Sequence, residues 1–178
     1  PDAKKCPGID ASTGSLGQGI SIAVGMAIGA KLSGKDIKVY TVCGDGELQE
    51  GLVWEASMAA GHYRLANLCA MIDRNRLQIS GPTEQVMAQD PLADRWRCFG
   101  WNVLEIDGND ASAVDEALTQ AAVWKDGPTM ILANTIKGCG SALLENKAPW
   151  HHKVPTKEEA AQIRAELEQR KEAAEHAL

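Results

Sequence analysis

Two oxygen-bearing side chains, Asp45 and Asn75, each follow a run of residues that is typical of a buried strand. Asp45 comes after the apolar run 37–43, and Asn75 comes after the apolar run 67–72. If these runs are neighbouring parallel strands, their carboxyl ends lie at one edge of the sheet, where ligands of such folds bind. Carboxylate and amide oxygens are the ligands that Mg²⁺ and Ca²⁺ prefer. The pair therefore predicts a divalent cation site that can anchor a diphosphate.

The backbone around this pair fits the same prediction. Gly44 and Gly46 flank Asp45, and without a Cβ atom they let phosphate groups approach the main chain closely. The main-chain carbonyl of Leu77, two residues after Asn75, is placed to supply a third oxygen ligand. A Gly-Asp-Gly sequence by itself usually marks no more than a turn. The spacing to Asn75, with both residues at predicted strand ends, favours the cation site.

Alternating helices and strands must position these residues. Apolar runs and their spacing predict helices at 16–31, 50–61, 92–99 and 111–124, and strands at 37–43, 67–72, 101–106 and 128–133. A polar helix is predicted from 156 to the end. This alternation predicts an α/β domain with a mostly parallel sheet flanked by helices, which the strand 128–133 closes. The many Gly and Ala residues of the first helix predict close packing against a neighbouring chain or sheet. The polar helix 156–178 begins with a capping-box pattern.

Composition limits the possible partners and compartment. The 178 residues fit a single domain, 1–178, and a net charge of −6 without a basic run argues against nucleic-acid or anionic-membrane partners. The five cysteines are scattered, which favours a reducing cytoplasm, and no apolar run reaches the roughly 20 residues of a membrane span. Residues 1–8 lack an initiator methionine, and their sequence is typical of the middle of a loop. This predicts an N-terminally incomplete domain.

Several motifs spread over the whole chain resemble one family. They are Ser-Thr-Gly-Ser-Leu-Gly-Gln-Gly-Ile-Ser at 12–21, Ala-Val-Gly-Met-Ala at 23–27, Gly-Asp-Gly-Glu-Leu-Gln-Glu-Gly at 44–51, Trp-Glu-Ala at 54–56, Leu-Gln-Ile-Ser-Gly-Pro at 77–82, Phe-Gly-Trp at 99–101 and Pro-Trp-His at 149–151. Together they resemble the transketolase family, and the Asp45 to Asn75 spacing resembles its thiamin diphosphate motif.

The resemblance implies an activity and a set of partners. Transketolases transfer a two-carbon ketol unit from a ketose phosphate to an aldose phosphate, with thiamin diphosphate and Mg²⁺ (or Ca²⁺) as cofactors. This chain is similar to the diphosphate-binding (PP-type) domain of the N-terminal subunit of a split transketolase. A C-terminal subunit would then bring the pyrimidine-binding domain and its glutamate, in a dimer of heterodimers. The family's upstream histidines, which handle substrate oxygens, precede the first residue, so the chain alone is expected to be inactive.

The resemblance also implies a role for individual residues. The residues implied to bind the cofactor are Gly14, Leu16, Gly44, Asp45, Gly46, Glu47, Asn75, Ile79, Lys137 and His151. The metal ligands would be Asp45, Asn75 and the Leu77 carbonyl. His151 would lie near the reacting centre, and Glu50 would join a carboxylate relay to the partner domain.

Each of these peripheral roles has an alternative. Leu16 and Ile79 could be ordinary core residues, and Lys137 could be a solvated loop lysine. Glu50 could be an acidic residue in the first helical turn that the helix dipole favours. One residue of the pair His151 and His152 is expected at the surface, and His152 stands where the family pattern usually has glycine.

Other functions remain open. One is another thiamin diphosphate enzyme, such as a deoxyxylulose-phosphate synthase or a specialised sugar-phosphate ketol transferase. Another is a non-catalytic fragment that serves only as an interaction module. A dinucleotide-dependent dehydrogenase is disfavoured, because the Gly-Gln-Gly sequence at 17–19 is not the dinucleotide fingerprint.

Overall fold

Four parallel strands form the central sheet of the computed structural model, which describes residues 1–176. The strands of the chain are β1 (Val39–Gly44), β2 (Leu68–Arg74), β3 (Leu77–Gln78), β4 (Gly81–Pro82), β5 (Asn102–Asp107) and β6 (Thr129–Asn134). The central sheet has the order β1-β2-β6-β5, and β3 pairs with β4 in a separate antiparallel hairpin. The predicted α/β class with a parallel sheet is therefore confirmed.

Helices connect the strands. They are α1 (Gln18–Leu32), α2 (Gly51–His62), α3 (Thr83–Val86), α4 (Leu92–Cys98), α5 (Ala111–Val123) and α6 (Lys157–Glu175), with 3₁₀ helices at Gly46–Gln49 and Ala148–His151. The polar helix predicted at 156–178 is α6, and residues 177 and 178 of that prediction lie outside the described residues. Among residues 1–176, no helix is both long and apolar enough to cross a membrane.

The position of the last strand differs from the prediction. β6 does not close the sheet, because it lies between β2 and β5 and hydrogen-bonds to both. After β2 the chain continues to β5 at the edge of the sheet. The helix α5 then leads back to β6, which lies between β2 and β5. The neighbours of a strand depend on contacts between segments that are distant in the sequence, and the local pattern of 128–133 does not show them.

The beginning of the first helix also differs. The periodicity predicts a start at residue 16, but α1 begins at Gln18, because Gly17 has a φ of 78° in the left-handed region and ends the preceding loop. A Cβ atom at residue 17 would lie 2.9 Å from the Glu50 Cβ. The bend and this close approach both favour glycine.

The core lies mainly on one face of the sheet. There α1, α2 and α4 cover β1, β2 and β6 with a cluster that includes Ile20, Leu48, Trp96 and Ile72. The opposite face has a smaller cluster around α5, in which Ala117 and Ala121 pack against Cys69 and Ile131. The sheet therefore presents the carboxyl ends of its strands from a rigid base.

Candidate cofactor site at the carboxyl edge of the sheet

The structure places Asp45 and Asn75 at the same edge of the sheet. Strands β1 and β2 are paired in register, with Gly44 opposite Asp73, and the Asp45 N–H donates to the Asp73 carbonyl at 3.2 Å. Asp45 is 2% exposed, and its carboxylate accepts hydrogen bonds from the N–H groups of Gly46, at 2.8 Å, and Arg76. The carboxylate of Asp45 is thus bonded to the residue that follows Asn75.

A tight turn after β2 brings the N–H of Arg76, the residue between Asn75 and Leu77, to that carboxylate. Arg76 has a φ of 64°, a left-handed conformation that is uncommon outside glycine, and its N–H points at Asp45. The Asn75 amide oxygen accepts from the Leu77 N–H at 3.1 Å, and its amide nitrogen donates to the Asp73 carboxylate at 3.3 Å. These bonds fix the orientation of the Asn75 amide group within the turn.

Burial raises the pKa of the Asp45 carboxyl group above its ordinary value, and the nearby charge of Asp73 adds to the rise. The N–H donors of Arg76 and Gly46 and the positive charge of Arg74 oppose it. A buried carboxylate with an acidic neighbour is an environment that a cation stabilises.

The donor set fits a hard divalent cation bound together with a phosphate. A carboxylate, an amide oxygen and a main-chain carbonyl are oxygen ligands of the kind that Mg²⁺ and Ca²⁺ take, and these ions need six or more ligands. Among residues 1–176, no group of three His, Cys, Asp or Glu side chains could hold a metal. A cation here therefore needs further oxygens, and a diphosphate can supply them.

The Glu47 carboxylate ties the end of β1 to the loop before α1. One oxygen accepts from the Gly17 N–H at 2.9 Å, and the other accepts from the Gly44 N–H at 3.1 Å. The family resemblance predicts Glu47 beside the diphosphate. The structure shows in addition that its charge is engaged by the backbone, so Glu47 holds two loops of the site together.

The turn after β1 also approaches the β3–β4 hairpin closely. A Cβ atom at Gly46 would lie 3.0 Å from the Gln78 Cβ, so glycine allows the turn to contact the hairpin. The Gln49 side chain continues this contact with a 2.6 Å hydrogen bond to the Gln78 side chain.

An open groove of about 690 Å³ lies alongside β1, and its lining includes Gly14, Leu16 and Glu47. Leu16 is 58% exposed, and Ile79, in the β3–β4 hairpin, is 67% exposed. The alternative in which Leu16 and Ile79 are core residues of this chain is therefore wrong. Both side chains are accessible to a bound ring system.

Three predicted residues lie outside the Asp45 turn and this groove. Lys137 follows β6 in a loop, where its carbonyl accepts from the Asn146 N–H at 3.0 Å. His151 ends the 3₁₀ helix that contacts β3, and both His151 and His152 are exposed. Glu50 is the N-cap residue of α2 and is exposed, so it lies just before the first helical turn.

Gln89 belongs to the site but is not predicted from the sequence. This residue is 4% exposed, and its side-chain amide donates to the Asp45 carbonyl at 2.6 Å. The polar, aperiodic segment around it offers no local signal, because a contact across 44 positions in the sequence depends on the fold.

Comparison with known proteins places this chain in a family. Residues 1–174 match the family described as transketolase, thiamine diphosphate binding domain. The chain belongs to the transketolase family. It is 44% identical over 164 residues to an apulose-4-phosphate transketolase subunit of Phocaeicola vulgatus, covering 92% of this chain and 58% of that protein. It is 45% identical over 167 residues to a 6-deoxy-6-sulfo-D-fructose transketolase subunit of Clostridium sp. (strain MSTE9), covering 94% and 61%. The chain thus spans about three fifths of these relatives.

Solved transketolases share the fold. The transketolase of Pichia stipitis in complex with sedoheptulose-7-phosphate superposes with a TM-score of 0.85 at 30% identity, covering 94% of this chain and 26% of that one. The Leishmania mexicana transketolase gives 0.80 at 34% identity, covering 90% and 26%. The thiamin diphosphate-binding fold expected from the motifs is confirmed.

Proposed function

We propose that this chain is the diphosphate-binding part of a transketolase that uses thiamin diphosphate and a divalent cation, Mg²⁺ or Ca²⁺. It would transfer a two-carbon ketol unit from a ketose phosphate to an aldose phosphate. The observation that carries the proposal is the juxtaposition of Asp45 and Asn75 at the carboxyl ends of β1 and β2. Their carboxylate and amide oxygens are of the kind that a cation bound to a diphosphate takes as ligands, and the matched family is described as thiamine diphosphate binding.

The residues of this chain would bind and orient the cofactor. The cation would be held by Asp45, Asn75 and the Leu77 carbonyl, and Gly44 and Gly46 would let the phosphates approach the main chain. Thiamin diphosphate, when bound, supplies the carbon nucleophile and electron sink for cleaving the bond next to a ketose carbonyl. The protein's task is to position and polarise the cofactor.

Residues farther from the cation would complete the pocket. Gly14, Leu16 and Ile79 would contact the rings, which agrees with the exposure of both aliphatic side chains. Lys137 and His151 would act near the diphosphate or the reacting centre. Glu50, exposed at the start of α2, would join the relay to the partner's pyrimidine-binding domain.

A partner chain would be needed for activity. The names of the two relatives from Phocaeicola vulgatus and Clostridium both describe subunits, which supports a split enzyme with a second polypeptide. We propose that this partner brings the pyrimidine-binding domain, that the assembly is a dimer of heterodimers, and that the chain alone is inactive. The five free cysteines agree with a cytoplasmic location.

The substrate class has a second candidate. Relatives at 44% and 45% identity are named for apulose-4-phosphate and 6-deoxy-6-sulfo-D-fructose. These names make a specialised ketol transferase, acting on a less common sugar, a second candidate beside a general one. Ketol transfer from a panel of ketose donors, common and specialised, distinguishes the two.

The test uses the chain combined with its partner polypeptide, with ketol transfer followed by product formation. Asp45→Ala should abolish Mg²⁺-dependent transfer, because it removes the charged ligand. Asp94→Ala, at an exposed position on α4, is the matched control and should keep wild-type activity. The site assignment is contradicted if an Asp45→Ala variant, shown to be folded by circular dichroism, binds thiamin diphosphate with unchanged Mg²⁺ dependence.

A further inference from the structure

The side chain of Gln89 is buried within a segment that is otherwise mostly exposed. Gln89 is 4% exposed, whereas its neighbours from Glu84 to Ala88 and Asp90 are exposed. A buried glutamine is uncommon unless its amide group is hydrogen-bonded. Here the amide nitrogen donates to the main-chain carbonyl of Asp45 at 2.6 Å. The long-range bond joins the segment to the residue that we propose as the charged cation ligand.

The segment 83–90, which we call the brace, is held by two further interactions next to this hydrogen bond. The Glu84 carboxylate accepts from the Gln89 N–H through both oxygens, at 3.1 and 3.3 Å. The Asp90 carboxylate pairs with the Arg74 guanidinium at the end of β2, and the Arg74 side chain is 10% exposed. The brace therefore links the end of β1 to the end of β2 through Gln89 and Asp90.

The bond from Gln89 fixes the orientation of the peptide group after Asp45. The same Asp45 carbonyl accepts from the Leu48 N–H at 3.1 Å, which closes the first turn of the 3₁₀ helix Gly46–Gln49. The peptide group of that carbonyl also carries the Gly46 N–H, which donates to the Asp45 carboxylate at 2.8 Å. Holding the carbonyl therefore also holds the donor that orients the carboxylate.

We propose that Gln89 is a positioning residue for the cation- and diphosphate-binding turn at Asp45. The inference rests on the proposed function and deepens it, because Gln89 would act through Asp45 and is not among the proposed ligands of the cation. Outer partners that orient a metal ligand commonly affect metal affinity by about 10- to 100-fold. A role limited to filling the core would change global stability and leave the local geometry of the turn intact.

The test replaces the donor while keeping the size of the side chain. Gln89→Met has a similar length and removes the amide, and Gln85→Met, in the exposed part of the brace, is the matched control. Glu84→Ala is a second variant, which removes the carboxylate that accepts from the Gln89 N–H. Because Glu84 is exposed, this variant keeps the test decisive if Gln89→Met folds poorly.

The first readout needs no ligand. Amide hydrogen exchange measured by NMR should become about tenfold faster at Gly46 and Arg76 in Gln89→Met, and faster in the same sense in Glu84→Ala. Amides of β6 should keep their wild-type exchange, and Gln85→Met should resemble the wild type throughout. Unchanged exchange at Gly46 and Arg76, or an equal acceleration in β6, overturns the inference.

The second readout is the Mg²⁺ concentration that half-saturates thiamin diphosphate binding, measured by calorimetry on the folded protein. It should rise by about 10-fold or more in Gln89→Met and stay unchanged in Gln85→Met. An unchanged value in Gln89→Met overturns the inference while leaving the proposed function in place. If the wild-type protein itself shows no Mg²⁺ dependence, the proposed function fails, and the exchange data still decide whether Gln89 positions the turn.

Discussion

Single side chains at the edge of the sheet hold backbone segments that are far apart in the sequence. Glu47 joins the loop before α1 to the end of β1, and Gln89 joins the brace to Asp45. Each does so with a side chain that satisfies backbone groups near the proposed cation ligands. Removing such a partner leaves a donor or acceptor without its hydrogen bond, which costs more than the bond itself contributes.

Glu47→Ala should lower the free energy of unfolding by about 2 kcal/mol, because two backbone N–H groups lose a charged acceptor in a half-buried place. Chemical denaturation measures the change. Glu55→Ala, at an exposed position on α2, serves as the control and should change stability by less than about 0.5 kcal/mol. Equal effects of the two substitutions would show that Glu47 does not hold the loops together.

Alkaline pH should destabilise the fold through Cys69. Burial raises the pKa of the Cys69 thiol from 9.0 to about 11, with the nearby Lys38 opposing the rise. The unfolded chain then loses this proton at a lower pH than the folded chain. Stability from the neutral thiol is complete below about pH 9 and falls as the pH rises towards 11, by at most about 1.4 kcal/mol per pH unit.

Denaturation of the wild type and of Cys69→Ala at pH 8 and pH 10.5 checks this. The variant should lose less stability over that interval than the wild type, whereas Cys98→Ala, at an exposed thiol, should match the wild type. A pH dependence that is identical in all three proteins would contradict the assignment to Cys69.

At the scale of elements, α6 holds the loop that follows β6. The Ser141 hydroxyl donates to Glu166, and Arg170 of α6 pairs with Glu145 at 3.1 Å. Ser141 is 1% exposed, so its contact with the helix is internal. The loop also carries Lys137 and His151, which connects the position of α6 to the proposed site.

Glu166→Ala should loosen this loop without unfolding the sheet. The Leu144 and Glu145 N–H groups both donate to the Ser141 carbonyl at 2.9 Å, so their hydrogen exchange should accelerate by several-fold when Ser141 loses its partner on α6. Glu168→Ala, on the exposed side of the same helix, should leave both amides at wild-type rates. If the Leu144 and Glu145 amides exchange at the same rates in Glu166→Ala as in Glu168→Ala, α6 does not restrain the loop.

Elements with a strong pattern could be predicted from the sequence, whereas features that depend on contacts between distant residues could not. The four main strands and the helices α1, α2, α4 and α5 follow from apolar runs and breakers. The polar helix α6 follows from the capping box of Thr156 and Glu159, which is confirmed. The short hairpin β3–β4 and the short helix α3 carry too few residues to show a period. The place of β6 inside the sheet depends on pairing between strands that are distant in the sequence.

The candidate site was likewise predictable only in part. The spacing of Asp45 and Asn75 predicted that they meet, because the ends of parallel strands share an edge. The backbone contacts of Glu47 and the buried bond of Gln89 were not predictable, since neither residue lies at a strand end or on a helix period. The roles of Lys137, His151 and Glu50 stay predictions from the resemblance.

For the whole molecule, the exposed apolar surface indicates where another chain packs. Ile22 and Met26 of α1 are 40% and 42% exposed, and Met58 of the neighbouring α2 is 49% exposed. Gly25 and Gly29 of α1 have no atom within 4 Å of an added Cβ, so a second backbone could approach them. Exposed apolar side chains beside backbone that a second chain can approach are typical of surfaces where proteins pack.

We therefore expect Met26→Glu to weaken self-association of the chain, because it places a charge in a surface that a second copy would bury. Light scattering after gel filtration should show a shift towards the monomer mass. Val154→Glu, at a position that is 83% exposed before α6, should leave the mass unchanged. A wild-type chain that is already a monomer, or a Met26→Glu variant with the wild-type mass, would contradict this placement of the interface.

We propose that Asp45 and Asn75 bind a divalent cation that anchors thiamin diphosphate. Calorimetric titration of thiamin diphosphate into the 178-residue chain, with Mg²⁺ and then with EDTA, tests it most directly. Saturable binding with Mg²⁺ that disappears with EDTA is the predicted result, and Asn75→Ala should weaken it. Binding of equal strength with EDTA, or no binding with Mg²⁺, would contradict the claim that this edge of the sheet is a preformed cation-dependent site.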